Sequence, residues 1–474
     1  MMPTLLVSIS QSFNSFDNLS WTATIYIIGV SASQLLAGHL TDLFGSREGM
    51  VICSTIFAVG CLICGLSKNL PVLLVGRAIQ GFGGGAVGLI TAIIEGDLVP
   101  LRNRGVTEAI GGICFGAGLA TGGLWGGGIN NALAWRWAFL IQVPAIAACI
   151  VAVYYLLDLP RKQWDFSTLK RVDYIGCITL LTAVVLLQIG IDSGGNTLPW
   201  TSPVVLVSLP LALASFLGFV FWNLTYAIEP VIPLRLFANR NVAAACLACF
   251  LQLCSHFSNL FYIPIYLQVL GYSTTQTGLR FIPQALGAAV GTMIAGLIVK
   301  WTGRYYYLNV VAQALFVLGC ALLNTLNLDT PPWPPFIFLT LTGLGFGLSW
   351  ISLLMGLLSS ISNTQQGTAQ SASWSLRTLG MVIGLAISSA TFQKVLKANL
   401  ETNLGGLKNS NSLIESIRTN FADLQTLEPA IRYLAEKSYM RALHVVFYIT
   451  TGEIALSAIV SLFITENEIP ENLK

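Results

Sequence analysis

Six side chains that form hydrogen bonds or carry charge stand inside long apolar runs: Arg77, Gln80, Glu108, His256, Arg377 and Glu453. A charge at the centre of a bilayer costs about 3 kcal/mol on insertion scales, so such groups face protein or a water-filled path rather than lipid. Two chemistries are open to them. A guanidinium such as Arg77 can pair with an acid or an anionic solute and respond to its protonation. A carboxyl in a low-dielectric site keeps its proton more readily and can carry it from one side to the other. Glu453, near the middle of ITTGEIALS, is the candidate proton carrier, and His256, also mid-span, is a second. Plainer roles stand beside these. Arg77 lies about seven residues from one end of its run, close enough to snorkel to the surface. His256 fits a core histidine, and Glu453 fits a protonated structural glutamate.

These residues need helices to position them. In LLVGRAIQGFGGGAVG, helical spacing places Arg77, Gln80, Gly81, Gly84 and Gly88 on one face. Small residues let a neighbouring helix approach closely, which turns that face into the bundle. The pattern GFGGGA also fits a dinucleotide-binding loop, but that loop needs a preceding strand, and here it lies inside a membrane helix. A second glycine face, Gly118, Gly122, Gly126 and Gly127, serves helix packing, with a hinge as the other reading. At the ends of helices, Asp42 and Arg47 form a candidate charge lock that favours one conformation, and Asp97 and Arg102 join the same cluster.

Composition sets the class. Of 474 residues, 54% are hydrophobic and 9% are charged, too few charges to cover a water-soluble globule of this length. A net charge of +3 gives no reason to expect nucleic acid. The ten cysteines all fall in apolar segments, and the pairs Cys61/Cys64 and Cys246/Cys249 read as packing rather than metal or redox sites. No cofactor or metal is expected.

Thirteen apolar stretches approach the spanning length: 21–38, 50–66, 71–94, 106–128, 137–157, 173–192, 203–222, 242–269, 277–299, 306–325, 335–358, 371–392 and 440–464. Eleven Lys and Arg residues, from Arg47 to Arg304, lie on one set of connections, and only Lys68, Arg136 and Arg280 lie on the other. The first set is therefore expected in the cytoplasm. An odd count with no signal segment leads to a further expectation: one more helix upstream, of which MPTLLVSIS is the outer end, for fourteen in all.

Two basic-side connections look alike. GHLTDLFGSR (Gly38–Arg47) and GLIVKWTGRY (Gly296–Tyr305) each carry two glycines seven residues apart. Two helical halves separated by two extra helices would give this offset, and matched halves around a central site are typical of secondary transporters. The phosphate-loop pattern GxxxxGK[ST] is absent, so any transport draws on an ion or solute gradient. A membrane enzyme would need a catalytic cluster, and the three histidines, His39, His256 and His444, lie far apart in sequence.

Together with LLVGRAIQGFGGG, GLATGGLWGG, WRWAFLIQVP, DLVPLRNRG and RTLGMVIG, these loops resemble the major facilitator superfamily in its fungal 14-span drug:proton antiporter branch. The sequence departs from the pattern at Ser46, at Gly123, and in lacking the first helix with its acidic signature. The resemblance implies an all-α polytopic membrane fold of two six-helix bundles plus two extra helices. It divides the chain into an N-terminal bundle over 1–158, short of its first helix, two linker helices over 159–240, a C-terminal bundle over 241–465 with an extracytoplasmic loop at 393–439, and a tail over 466–474. It also implies Arg77 and Gln80 as transport residues and a monomer that moves a small molecule against protons across the plasma membrane. The main alternative is a vacuolar transporter of basic amino acids. An inactive transporter fragment and a membrane receptor are the readings from other classes.

Overall fold

The computed structural model describes residues 9, 12–13, 19–159, 173–194, 201–227, 234–272, 274–361, 366–404, 413–414, 417 and 428–467. Among them lie thirteen helices: α1 (Leu19–Phe44), α2 (Ser46–Leu66), α3 (Leu70–Leu98), α4 (Leu101–Ala132), α5 (Trp137–Leu156), α6 (Tyr174–Ser193), α7 (Pro203–Thr225), α8 (Arg240–Val269), α9 (Thr274–Thr302), α10 (Tyr306–Leu323), α11 (Pro334–Leu358), α12 (Gln366–Leu404) and α13 (Pro429–Ser461). Each corresponds to one of the thirteen expected apolar runs. Eleven are long and apolar enough to cross a membrane, and α1 adds a shorter apolar stretch, Ile25–Gln34. Helix α4 is rich in glycine and carries Arg104 and Glu108 near its start. It packs against protein along α9, where lipid solubility is not required.

Local signals explain where the helices begin. Asn69 caps α3, its side chain accepting from the Val72 amide at 3.1 Å, with Pro71 in the first turn. One carboxyl oxygen of Asp173 accepts from both the Gly176 amide, at 2.8 Å, and the Trp222 indole, at 2.9 Å. It thereby caps α6 and ties α7 to it as a hairpin.

The halves repeat the same neighbour relations. Helix α1 lies along α3, α2 along α3, and α5 against α2; in the second half α9 lies along α11, α10 along α11, and α13 against α10. Helix α8 packs on α12, α13 and α11, and the α6–α7 hairpin rests on α1 and α12. The matched loops agree in backbone detail. Gly45 has φ +86° and Gly303 has φ +67°, so the second glycine of each motif supplies the left-handed turn after its helix.

The expected loop over 393–439 is shorter in the structure. Helix α12 continues to Leu404 and α13 starts at Pro429. Beyond the apolar run, Leu396, Leu400 and Leu404 still bury their side chains against Ala435, Tyr439 and Leu443. Lys397–Glu401 and Arg432–Glu436 ion pairs along the helices support the extension. A hydropathy scan ends where charges begin and does not see this paired helical face.

The bundles meet along α4–α9 and where α12 touches α1 and α3. Among the described residues, the close contacts found between them run from the basic end, the end that carries Arg47, Arg104, Lys300 and Arg304, to about the middle of the helices. A Cβ added at Gly296 would lie 2.5 Å from the Gly105 carbonyl, so the two backbones touch. Gly112 and Gly116 of α4 approach Thr292 and Ala285 of α9, and Thr378 of α12 bonds Gln34 of α1.

Candidate functional site

Arg77 is buried, 4% exposed, inside the first bundle. Its Nε donates to the Thr22 carbonyl at 3.1 Å, and Nη1 donates to Gln80 Oε1 at 2.6 Å. The guanidinium lies 4.2 Å over the Tyr26 ring, and Gln80 passes the network to Cys61 Sγ at 3.1 Å. No carboxylate is among its partners in the described residues. This excludes the snorkelling reading and gives Arg77 a carbonyl, an amide and an aromatic face in place of an acid.

The glycines around Arg77 bring its partners close. Gly81 and Gly85 touch the α1 backbone at Tyr26 and Val30, while Gly76 and Gly83 touch α2 at Cys64 and Phe57. Gly84 meets the Phe57 ring, and Gly88 faces open space. The helix therefore has two glycine faces rather than one, because it packs two neighbours at once.

The second group of charges lies between the bundles. Glu95 of α3 lies near Glu108 of α4. Glu108 also lies near the Trp350 indole of α11 and the Arg377 guanidinium of α12. Arg377, 4% exposed, sits 3.9 Å over the Trp350 ring and donates to Cys249 Sγ of α8 at 3.4 Å, while its Nε has no hydrogen-bond partner among the described residues. Trp374 closes the aromatic wall, 6.1 Å from Trp350. Sequence reasoning named Glu108 and Arg377 singly and missed Glu95. The missing signal is tertiary, since the α3 and α4 carboxyls come together only when those helices fold back on each other.

Toward the basic end, Arg104 donates to the carbonyls of Gly96, at 2.6 Å, and Val99, at 3.1 Å, so a cation neutralises the C-terminus of α3. Asp97 accepts from Ser46 at 3.3 Å and faces Arg104. Arg47 bonds the Tyr154 carbonyl and stacks 4.6 Å over its ring, joining α2 to α5. The Asp42 and Arg102 side chains, also expected in the charge lock, lie outside the described residues.

Three other expectations fall elsewhere. His256 stacks on Phe346 at 3.8 Å among Phe257 and Phe316, inside the second bundle. Glu453 lies within that bundle near Cys254 and Cys320, with Oε2 unpaired among the described residues. Gly118, expected to pack a neighbouring helix, has nothing within 4 Å of where a Cβ would stand among the described residues. The close approach falls at Gly105 instead, and the surroundings of Gly126 and Gly127 lie outside the described residues. A cavity of about 420 Å³ opens at the opposite end between the α10–α11 loop and α13, and none of the interface residues lines it.

The surroundings of His256 give a direct expectation. His256→Phe preserves an aromatic stack on Phe346 and removes one buried polar ring. Thermal unfolding of the purified variant should occur at or above the wild-type temperature, with transport rates within about twofold of wild type. Loss of gradient-driven transport in a stable variant would instead make the imidazole a proton carrier.

Known proteins share this arrangement. The Major Facilitator Superfamily profile matches residues 1–385. Multidrug resistance protein fnx1 of Schizosaccharomyces pombe is 31% identical over 440 residues, 92% of this chain and 83% of that protein. Vacuolar membrane amino acid uptake transporter fnx2 of the same yeast is 30% identical over 466 residues, 96% of this chain and 79% of that one. Among solved structures, the proton:xylose symporter XylE shares the fold with a TM-score of 0.60 at 15% identity, over 98% of this chain and 92% of that chain. The chain therefore belongs to the major facilitator superfamily and is a multi-pass membrane transporter of small molecules.

Proposed function

We propose that this protein exports small hydrophobic or amphipathic organic compounds against a proton gradient by alternating access, as a monomer in the plasma membrane. One observation carries the reading. The bundles close on each other around an aromatic wall, Trp350 and Trp374. Arg377 occupies the cation position over Trp350, with Glu108 near it. A solute entering this interface meets apolar and aromatic surface, with protonatable groups beside it to supply coupling. In this reading Arg77 and Gln80 are transport residues whose polar network responds through the cycle, Glu453 is a further protonatable group in the second bundle, and Asp42, Arg47, Asp97 and Arg102 stabilise the closed basic end.

The alternative substrate class is basic amino acids. The carboxyl pair favours it, as does the likeness to a relative named as a vacuolar amino acid uptake transporter. Arg377 argues against it, because a lysine or arginine substrate would have to displace a resident guanidinium from the same ring. Purified protein in proteoliposomes, given an imposed pH gradient, separates the two. A hydrophobic bisbenzimide dye should move faster with the gradient than without it, and radiolabelled lysine should not respond. Gradient-driven lysine movement without dye movement would replace this reading with the second one.

A further inference from the structure

The residues after α13 turn back under the basic end of the second bundle. Ile464, 3% exposed, packs on Gly356 near the end of α11. Thr465 then meets Asn241 at the start of α8. Its amide and its hydroxyl both donate to Asn241 Oδ1, at 2.9 and 3.0 Å. Asn241 Nδ2 donates in return to the Thr465 carbonyl, at 3.3 Å, and to Ser360 Oγ, at 3.0 Å. Tyr305, 1% exposed and just before α10, is the other anchor. Its hydroxyl donates to the Thr465 carbonyl at 3.1 Å and accepts from the Asn467 amide at 3.0 Å. Its own amide donates to Glu466 Oε1 at 3.2 Å. The segment 464–467 thus clasps α8, α10 and α11 together, and Tyr305 is the last residue of GLIVKWTGRY, the second of the matched loops.

We propose that Thr465 is a phosphorylation site for a protein kinase that reads carboxylates after its target, and that the phosphate opens this clasp. The inference goes beyond the export reading and stands apart from it. It takes the basic end as cytoplasmic, as the Lys and Arg distribution indicates. Thr465 is exposed, residues 464–467 are non-helical, and Glu466 and Glu468 follow at the first and third positions. In the transfer, Oγ1 bonds the γ-phosphorus of a nucleoside triphosphate. The bond from that phosphorus to the bridging oxygen breaks, the nucleoside diphosphate leaves, and the hydroxyl proton passes to the kinase.

The hydroxyl of Thr465 serves the clasp as a donor. Once phosphorylated, the side chain offers acceptor oxygens there and carries a charge of about −1.5 to −2 at pH 7. It then stands against Asn241 Oδ1, itself an acceptor, one residue from the Glu466 carboxylate. Turning the Asn241 amide over brings no relief, because Nδ2 would face the Thr465 N–H and Oδ1 the Thr465 carbonyl. The Asn241 bonds therefore break first, and the Tyr305 bonds to the same segment follow. Arg240, exposed at the start of α8, has its guanidinium 5.6 Å over the Phe463 ring. Capture of the phosphate by Arg240 is the competing outcome, and the experiment separates the two.

Purified full-length protein is incubated with casein kinase II and a nucleoside triphosphate, and intact-mass spectrometry counts the phosphates. Wild type should gain one phosphate more than Thr465→Val. Hydrogen exchange then reads the clasp through the amides of Tyr305, Thr465 and Asn467, all of which donate within it. After phosphorylation these amides should exchange about tenfold faster, while the middle of α10 around Phe316 stays as slow as before. Thr465→Val keeps the amide bond and loses only the hydroxyl donor, and kinase treatment should leave its exchange unaltered. Equal phosphate on wild type and Thr465→Val would overturn the modification site. Unchanged exchange in the phosphorylated protein would overturn the opening of the clasp. Slower exchange would show Arg240 holding the phosphate in place and would overturn it as well. None of these measurements depends on transport, so the export reading stands or falls separately.

Discussion

Gly296→Leu is expected to stop transport while leaving a folded, inserted protein. The first added carbon would stand 2.5 Å from the Gly105 carbonyl carbon and oxygen, and 2.8 Å from the Val106 nitrogen. These are backbone atoms of another helix, so no side chain can swing aside to accept it. Overpacking of this kind costs about 1–3 kcal/mol. Here the strain can be relieved without unfolding, because α4 and α9 belong to different bundles and the pair can part. The strain therefore falls on the closed basic end and shifts the balance between the two access states by about tenfold to a hundredfold. A transporter held mainly in one state turns over slowly even when both binding and folding are intact. The measurement is the initial rate of gradient-driven dye movement in proteoliposomes, set beside thermal unfolding of the same preparation. Gly296→Ala should lie between wild type and the leucine variant. Gly278→Leu, on the same helix but with nothing within 4 Å of its Cβ position, supplies the comparison and should transport normally. A Gly296→Leu protein that transports at the wild-type rate would remove this contact from the cycle.

The contact also shows what a sequence reveals of such a fold and what it withholds. The thirteen spans were legible because lipid imposes a length and a polarity on every crossing, and each expected run became a helix. The matched loops were legible for a local reason. Glycine at Gly45 and Gly303 supplies a positive φ that other residues rarely adopt, so the pair survives as a spacing. The burial of Arg77 followed from its company of small residues, but its partners did not. The Thr22 carbonyl and the Tyr26 ring belong to another helix and have no signature in the primary structure. The same limit applied at the interface. Glu95 stands two residues before Asp97 near the end of α3 and reads as a solvated helix terminus, until the fold brings Glu108 and Arg104 near it. The closing role expected of Arg102 has a described counterpart in Arg104, because it is Arg104 that reaches the last carbonyls of α3. Gly118 has no close neighbour among the described residues, since a small residue permits a close neighbour without specifying one. Hydrophobic pattern thus fixes which segments cross, while the pairing of charges between crossings depends on which helices pack together.

Arg77→Gln should separate function from stability. The guanidinium is buried with no carboxylate in contact among the described residues, and burying an uncompensated charge costs several kcal/mol. Against that stand a hydrogen bond to the Thr22 carbonyl, one to Gln80 and a stack on Tyr26. Hydrogen bonds of a charged group contribute about 1.5–3 kcal/mol each, and a desolvated cation–π contact about 2 kcal/mol. The two sides nearly cancel. A glutamine can keep one polar contact near Gln80 without carrying the charge, so the variant should unfold within a few degrees of wild type. Residues that bring no net stability yet break the local rule against charge in an apolar helix are expected at functional sites. Gradient-driven transport in Arg77→Gln should therefore fall by about tenfold or more, the scale on which coupling between sites is felt. Arg77→Lys keeps the charge but replaces a planar fork with a point donor, and it should recover only part of the rate. The decisive comparison is transport against melting temperature in the same preparation. A glutamine variant that transports normally but unfolds far below wild type would make Arg77 a strut between α1 and α3. A stable variant that no longer transports would make its charge part of the cycle.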